Sequence, residues 1–193
     1  MYSTITSLSK LLAFSTVQEN APKCDPVSPL EFAFEADRYM GTWYNIQHSH
    51  GAAFQPDSAD CTTALYSDLN AEAGTFKVYN SSTISFLPRY GVTGSASVAG
   101  LPSGQAIVSF FGQTSDEPNY KVLDTDYDNY SMVTDCREDS VYQLWILSRS
   151  PTLDEDILNM LTAKAHELLP SYDWSIVRKD KQGGNCKYAD IAE

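Results

Sequence analysis

The sequence predicts an all-β fold: an eight-stranded antiparallel up-and-down β-barrel with one α-helix packed on its outside. Between Gly41 and Arg149, short runs rich in β-branched and aromatic residues alternate with turn residues such as Asn70, Gly74 and Pro88, which is typical of strands joined by tight turns. The runs recur at nearly regular spacing, and closing them into a barrel leaves no exposed sheet edge. After Arg149 the spacing of apolar residues becomes helical.

The predicted elements follow in chain order. The strands cover residues 42–48, 62–68, 75–81, 89–98, 105–111, 120–125, 130–136 and 141–148. The helix should begin near Thr152-Leu-Asp-Glu155, which has the form of a capping box, and should end before Pro170. Residues 173–178 indicate one more short strand, and a polar tail carrying Cys186 follows. The apolar residues of this helix recur at helical spacing and should face the barrel. They are Ile157, Leu158, Leu161, Ala165, Leu168 and Leu169.

Size and charge narrow the function classes. A chain of 193 residues suits one domain, which we place at residues 23–193, with residues 1–22 as an N-terminal extension or weak signal segment. The formal net charge of −12 argues against nucleic acid and anionic membrane surfaces as partners. The sequence contains no run of about 20 apolar residues, so we expect no membrane span.

The four cysteines, Cys24, Cys61, Cys136 and Cys186, are dispersed and form no Cys-x-x-Cys pair. This spacing argues against zinc and favours two disulfides formed in an oxidising compartment. Because disulfides form in an oxidising compartment, we expect a secreted, extracellular protein. The residues alone permit three pairings of the four cysteines.

Two segments fit the pattern of an N-glycosylation acceptor, Asn80-Ser81-Ser82 and Asn129-Tyr130-Ser131. A glycoprotein is therefore predicted, provided that one of these asparagines is exposed.

Three segments carry a family resemblance. Residues 37–44 read Asp-Arg-Tyr-Met-Gly-Thr-Trp-Tyr, in which Gly41 permits a tight entry into a strand and Trp43 offers a flat apolar body to close a small barrel. Residues 125–130 read Thr-Asp-Tyr-Asp-Asn-Tyr, and residues 145–149 read Trp-Ile-Leu-Ser-Arg. In this order the segments resemble the three signature regions of the lipocalin family, in its branch around apolipoprotein D, the insect bilin-binding proteins and the crustacyanins. The resemblance covers residues 24–186.

The resemblance implies structural roles at the closed end of the barrel. Arg149 should cover Trp43 with its guanidinium group, an interaction that stabilises by about 0.5–2 kcal/mol. Gly41 should form the entry corner, and Thr125, Asp126 and Tyr127 should form a turn near the same end. In that turn the aspartate is expected to accept hydrogen bonds from backbone N–H groups rather than to act in catalysis. The resemblance also selects one pairing of the cysteines: Cys24 with Cys136, and Cys61 with Cys186.

Strand alternation and the family positions together predict the side chains that face the lumen. Adjacent Phe110 and Phe111 cannot both point inward, so we expect one of them to face outward. Asn80 has the inward parity and cannot both line the lumen and carry a glycan. The predicted ligand-binding residues are Asn45, Gln47, Tyr66, Phe76, Val78, Phe110, Phe111, Tyr120, Val122, Val133, Trp145 and Leu147.

The resemblance implies a carrier that binds a small hydrophobic molecule in the lumen, of the sterol, fatty acid, bilin or carotenoid type. Apolar walls with a few polar groups suit such a ligand, and the 12 tyrosines could grip a planar one. No cofactor is required, although a bilin or carotenoid chromophore or a lipid is an expected occupant. The oligomeric state stays open, with a homo-oligomer among the alternatives.

Two other function classes were weighed. An enzyme of the kind that uses a lumen cysteine needs a free thiolate, and all four cysteines match half-cystine positions, so we expect no enzyme. An interaction module would have a packed lumen and a binding loop at residues 49–60, around Phe54. The same loop could equally cover a ligand.

His48 and His50 lie two residues apart and are expected to share a face near the barrel mouth. They could contact a ligand carboxylate or bind a metal weakly. We expect no metal site, because three or four converging ligands are normally required.

Overall fold

The computed structural model describes residues 30, 33–52, 55–84, 88–113, 115–135 and 143–188. Within these residues the helices and strands confirm the predicted all-β architecture. A short 3-10 helix at Trp174–Ile176 precedes the last strand. The elements in chain order are α1 (Ala36–Tyr39), β1 (Gly41–Ser49), β2 (Ala59–Asn70), β3 (Thr75–Ile84), β4 (Tyr90–Ser97), β5 (Gln105–Phe110), β6 (Tyr120–Thr125), β7 (Tyr130–Asp135), β8 (Gln143–Ser148), α2 (Glu155–Leu168) and β9 (Val177–Lys179).

Strands β1 to β8 form a closed antiparallel barrel. Each strand from β2 to β7 pairs with the next, β8 pairs with β1, and β1 pairs with β2 to complete the ring. The closing pairs align Trp43 with Ala64 and Tyr44 with Thr63. Strand β9 is an additional ninth strand that pairs with β1 near its C-terminal end, where Gln47 lies opposite Lys179.

Alternation along the strands separates two hydrophobic cores. On β7 and β8, Val133 pairs with Trp145 and packs inside the barrel. The next pair along, Met132 and Ile146, packs on the outer surface against helix α2. Side chains that alternate between the two faces of a strand explain this separation. None of the helices in the described part of the chain has the length and apolarity that crossing a bilayer requires.

Helix α2 lies against the outside of the barrel, as predicted, through buried Leu161, Ala165 and Leu169. Its N-cap differs from the expected capping box. The helix begins at Glu155, and the side chain of Asp154 accepts hydrogen bonds from the backbone N–H groups of Asp156 and Ile157, at 2.9 and 3.4 Å. An aspartate directly before the first turn is itself a favoured cap, so the cap falls two residues later than Thr152.

The predicted strand at residues 173–178 is only partly confirmed. Its first half is the 3-10 turn, because the Asp173 carboxylate accepts a hydrogen bond from the backbone N–H of Ser175 at 3.0 Å and caps that turn. The extended backbone of β9 begins only at Val177.

Arg149 closes one end of the barrel, as the resemblance implied. Its guanidinium carbon lies 3.7 Å from the centre of the Trp43 ring. The same group donates hydrogen bonds to three backbone carbonyls, and burial lowers the pKa of Arg149 below its ordinary value. The acceptors are the carbonyl oxygens of Tyr127 at 2.9 Å, Thr42 at 3.1 Å and Arg38 at 2.8 Å.

The backbone next to this arginine explains why a glycine occupies position 41. Gly41 has φ of +95°, and a Cβ atom there would lie 3.3 Å from Arg149 Nη1. A side chain would therefore be strained and crowded at this corner. Trp43 is fully buried, and its indole N–H donates to the Tyr39 carbonyl at 3.0 Å.

The turn between β6 and β7 is built on Asp126, as predicted. One carboxylate oxygen accepts hydrogen bonds from the backbone N–H groups of Asp128, Asn129 and Tyr130, at 3.1, 2.7 and 3.0 Å. Burial alone would raise the pKa of Asp126, but these bonds and one from the Asn129 side chain hold it below its ordinary value. The Thr125 hydroxyl donates to the Tyr130 carbonyl and accepts from the Tyr127 N–H. All these groups serve the turn itself.

One disulfide of the predicted pair, Cys61–Cys186, is present and joins β2 to the C-terminal tail. The other prediction, Cys24–Cys136, falls on residues outside the described ranges.

Replacing Arg149 tests the closure of the barrel. We expect Arg149→Ala to lower the free energy of unfolding by about 1–3 kcal/mol, because the variant loses a cation–π contact and leaves partly buried carbonyls without a donor. Urea unfolding followed by circular dichroism measures this change. Arg178→Ala, at an exposed position on β9, is the matched control and should change stability by less than about 0.5 kcal/mol. Equal effects of the two substitutions would contradict the assigned role.

Candidate functional site

The barrel lumen contains a large cavity at the end opposite Arg149. Its cavity volume is about 120 Å³, within about 1040 Å³ of empty space that includes open solvent at the mouth. All eight barrel strands contribute to its wall, and Gln55 and Asn119 reach it from loops. The lining residues are Asn45, Gln55, Thr62, Thr63, Ala64, Tyr66, Phe76, Val78, Asn80, Ser81, Ser82, Tyr90, Val92, Val108, Phe110, Asn119, Tyr120, Asp135, Trp145 and Leu147.

Most of the predicted ligand-binding residues lie in this wall. Val122 and Val133 also face inward, but they are buried in the packed core inside the barrel and do not line the large cavity. The predicted residues that do line it are Asn45, Tyr66, Phe76, Val78, Phe110, Tyr120, Trp145 and Leu147.

Gln47 does not face the lumen, and the expectation from simple alternation was wrong there. A register shift between Asn45 and Gln47 pairs Gln47 with Ile146, whose side chain packs outside under helix α2. The bulge adds one residue to β1 and so exchanges the faces beyond it. His48 pairs with Trp145 and takes the inward position in place of Gln47.

Phe111 also lies outside the cavity. Phe110 is buried in the lumen wall, whereas Phe111 is 75% exposed. Strand β5 ends at Phe110, and the backbone of Phe111 has φ of +55°. One phenylalanine therefore faces inward and the other outward, as the pair of adjacent residues required.

A chain of phenol hydroxyls forms part of the cavity floor. The Tyr120 hydroxyl lies 2.9 Å from that of Tyr66 and 2.9 Å from that of Tyr39. Tyr39 continues the chain to the Ser131 hydroxyl at 2.7 Å. The rings of Tyr39 and Tyr66 are stacked with centroids 5.5 Å apart. Burial raises the pKa of Tyr66 to about 12 and raises the pKa values of Tyr39 and Tyr120 as well, so the floor is uncharged at neutral pH.

A second polar group lies where β1 meets the C-terminal tail. The carboxylate of Asp180 is 94% buried and has His48 Nδ1 at 2.5 Å from one oxygen. Its other oxygen accepts hydrogen bonds from the side-chain amides of Asn45 and Gln55, each at 3.0 Å. This carboxylate thus accepts hydrogen bonds from two side-chain amides and lies against His48, and both amide residues, Asn45 and Gln55, line the cavity.

His48 and His50 do not share a face. His48 is buried beside Asp180, whereas His50 is exposed and pairs with Asp57 through its Nδ1 atom. The bulge in β1 and the end of that strand at Ser49 account for the difference. In the described part of the chain, no three His, Cys, Asp or Glu side chains are placed to hold a metal ion.

Asn80 lines the cavity, so the inward of its two alternative orientations is the one observed. A glycan on this side chain is incompatible with that orientation. Asn129 is exposed on the turn between β6 and β7, and its glycosylation stays a prediction.

Sequence reasoning missed several lining residues. Val92 pairs with Asn80 across β3 and β4, so an inward assignment of Asn80 extended to its neighbour would have found it. Asn119 gave no such signal: it lies in a loop, where its side chain accepts from the Val108 N–H at 2.7 Å and donates to the Val108 carbonyl at 2.8 Å. Gln55 likewise comes from a loop, in the segment that includes Phe54, and residues 53–54 lie outside the described ranges.

Comparison with known proteins identifies the family to which this barrel belongs. The sequence profile of the lipocalin-like domain matches residues 34–182, more than half of the chain. The chain belongs to the lipocalin family. It is 33% identical over 138 residues to the outer membrane lipoprotein Blc of Escherichia coli strain K12, a match that covers 68% of this chain and 71% of Blc. Apolipoprotein D of Rattus norvegicus is 29% identical over 170 residues, covering 85% of this chain and 84% of the relative.

A solved structure agrees with the fold of this lipocalin. Insecticyanin from the tobacco hornworm, Manduca sexta, superposes with a TM-score of 0.66 at 24% identity, covering 87% of this chain and 92% of insecticyanin.

The buried tyrosines predict a pH dependence of stability. An unfolded tyrosine loses its proton near pH 10, whereas folded Tyr66 has a pKa of about 12. Below about pH 10 both states keep the proton and stability is unaffected. Above that pH the unfolded chain binds fewer protons, so the free energy of unfolding falls as pH rises through the folded-state pKa.

Urea unfolding at several pH values between 9 and 12 measures this fall. Tyr66→Phe should make it shallower, and Tyr90→Phe, at an exposed position, should not alter it. A Tyr66→Phe variant with the wild-type pH dependence would refute the assignment.

Proposed function

We propose that this lipocalin is an extracellular carrier that binds a small hydrophobic molecule in the barrel cavity. The single observation that carries the proposal is the open cavity in the lumen, about 120 Å³ in volume, with mainly apolar and aromatic walls. A lumen packed by its own side chains, as an interaction module would have, leaves no such space. The family supports the proposal, because lipocalins include carriers of small hydrophobic ligands.

The cavity walls suit the ligand classes that the sequence suggested. Binding would remove apolar area from water at Phe76, Val78, Phe110 and Leu147, a gain of about 25 cal/mol per Å². Trp145 and the uncharged phenols of the floor add flat faces against which a conjugated ring system can stack. A sterol, a fatty acid, a bilin or a carotenoid is the proposed cargo, and a visible absorption band of protein from its natural source would identify a pigment.

The disulfide supports a location outside the cytosol. Cys61–Cys186 requires an oxidising compartment such as the extracellular space or the bacterial envelope. The relative Blc is named as an outer membrane lipoprotein, and the outer membrane also lies outside the cytosol. We therefore propose secretion.

Binding rather than catalysis is the proposed role. A lumen nucleophile of the thiolate type needs a free cysteine, and both cysteines within the described ranges are joined in the disulfide. The phenols at the floor keep their protons at neutral pH.

Ligand titration tests the carrier proposal. We expect at least one of retinol, a sterol, a fatty acid and biliverdin to quench tryptophan fluorescence with saturation, because Trp145 lines the cavity. The same ligand should displace a fluorescent naphthylamine probe.

A matched pair of variants localises the binding. Val92→Trp fills space in the cavity, whereas Thr93→Trp places the same side chain at an exposed position on the opposite face of β4. We expect the first to weaken binding about tenfold or more, a loss of about 1.4 kcal/mol, and the second to leave it unchanged. Equal affinities for both variants, or no response to any ligand, would refute binding in the lumen.

A further inference from the structure

Three oxygen atoms in the cavity wall lack hydrogen-bond partners. They are Asn45 Oδ1, Thr62 Oγ1 and Asn80 Oδ1, and each is buried without a partner among the described residues. Asn45 itself is 97% buried. A buried polar atom left unpaired is unfavourable, and in a cavity a ligand or an ordered water molecule can supply the missing partner.

These oxygens lie on three adjacent strands. Asn45 follows Trp43 on the inner face of β1, and Trp43 pairs with Ala64 of β2. Ala64 in turn pairs with Asn80 of β3, and Thr62 precedes it by two residues on its own face. The unpaired atoms therefore form one polar strip across β1, β2 and β3, whereas Val108, Phe110 and Leu147 line other parts of the cavity.

The chemistry of the strip is fixed at Asn45. The Asn45 Nδ2 group donates to Asp180 Oδ2 at 3.0 Å, and that oxygen also accepts a hydrogen bond from the Gln55 side-chain amide. The amide nitrogen must therefore face Asp180, which leaves the carbonyl oxygen as the unpaired atom. Asp180 in turn contacts His48 and Gln55. These contacts fix the position of the Asp180 carboxylate and so stabilise this orientation of the Asn45 amide.

We propose that this strip binds the O–H or N–H group of a ligand, so that the cargo is a hydrophobic molecule bearing a hydrogen-bond donor. This inference rests on the proposed carrier function and deepens it by naming the polar end that the cavity selects. An ether or a hydrocarbon has no proton to offer the strip. An ionised carboxylate has none either. Asp180 acts as a positioning residue, because it touches Asn45 rather than the ligand.

Matched ligands test the proposal without knowledge of the natural cargo. Displacement of the naphthylamine probe gives the affinities of 1-dodecanol, dodecyl methyl ether, dodecylamine and dodecanoate at pH 8, and of retinol and its methyl ether. We expect each alcohol to bind about tenfold tighter than its ether, and dodecanoate to bind more weakly than dodecanol. The amine compares an N–H donor with an O–H donor on the same chain, and it too should bind more tightly than the ether.

Variants assign the selectivity to the strip. Thr62→Val keeps the side-chain shape and removes the hydroxyl group, and Asn80→Leu removes the amide. Each should reduce the ratio of alcohol to ether affinity toward 1. Asp180→Asn should do likewise, since an amide at position 180 no longer fixes the Asn45 orientation. Asp68→Asn, which changes an exposed carboxylate on β2, should leave the ratio unchanged.

The outcomes separate the two proposals. Ethers and alcohols that bind with equal affinity would overturn the donor-selective strip and leave the carrier function standing. Failure of both the probe and every ligand to bind would overturn both. A wild-type preference that survives in Thr62→Val, Asn80→Leu and Asp180→Asn would show that the selectivity arises elsewhere in the cavity, which also overturns the assignment.

Discussion

The contact of Arg149 with Trp43 organises the closed end of the barrel. Because the guanidinium group also donates to carbonyls of α1, β1 and the turn between β6 and β7, it joins segments that are more than 100 residues apart in the chain. Its charge is partly buried, which is unfavourable in isolation. The indole face and the three carbonyl dipoles together offset this cost, so neither partner is easily replaced. One end of the lumen is thereby sealed, and any ligand must enter from the other end.

The seal determines how the lumen is divided. Aromatic side chains fill the part next to Trp43, where Tyr39 stacks on Tyr66 and contacts Trp43 with ring centroids 5.1 Å apart. Their hydroxyl groups satisfy one another through Tyr120, so a polar layer lies within an otherwise apolar core without an unpaired atom at those positions. The cavity begins above this layer. A barrel of eight strands is just wide enough either to be filled by side chains or to hold one small ligand. In this protein side chains fill the part of the lumen next to Trp43, and the cavity occupies the other part.

Much of this arrangement was predictable from the sequence. Regular spacing of strand-like runs predicted the barrel, and the resemblance of three segments to the lipocalin signature regions assigned Trp43, Asp126 and Arg149 to its closed end. The error at Gln47 arose where the period of two fails, beyond a bulge that has no signature in the neighbouring residues. Phe111, the member of the adjacent pair that faces outward, lies past the end of its strand in a left-handed conformation. Asn119 and Asp180 come from segments that have no strand period, so only the three-dimensional structure could bring them to the site.

The C-terminal tail links the disulfide to the chemistry of the cavity. Strands β1 and β2 are aligned from Gly41 to Tyr44, and beyond that point Gln182 donates to the Asn45 and Thr62 carbonyls at 2.8 Å each. The Cys61 N–H donates to the Lys181 carbonyl at 2.8 Å, and Cys61 is bonded to Cys186. The tail therefore takes the place of strand pairing where β1 and β2 separate, and Asp180 lies within this tethered segment. Since Asp180 orients Asn45, a disulfide on the outer part of the barrel helps to determine which polar group the lumen presents to a ligand.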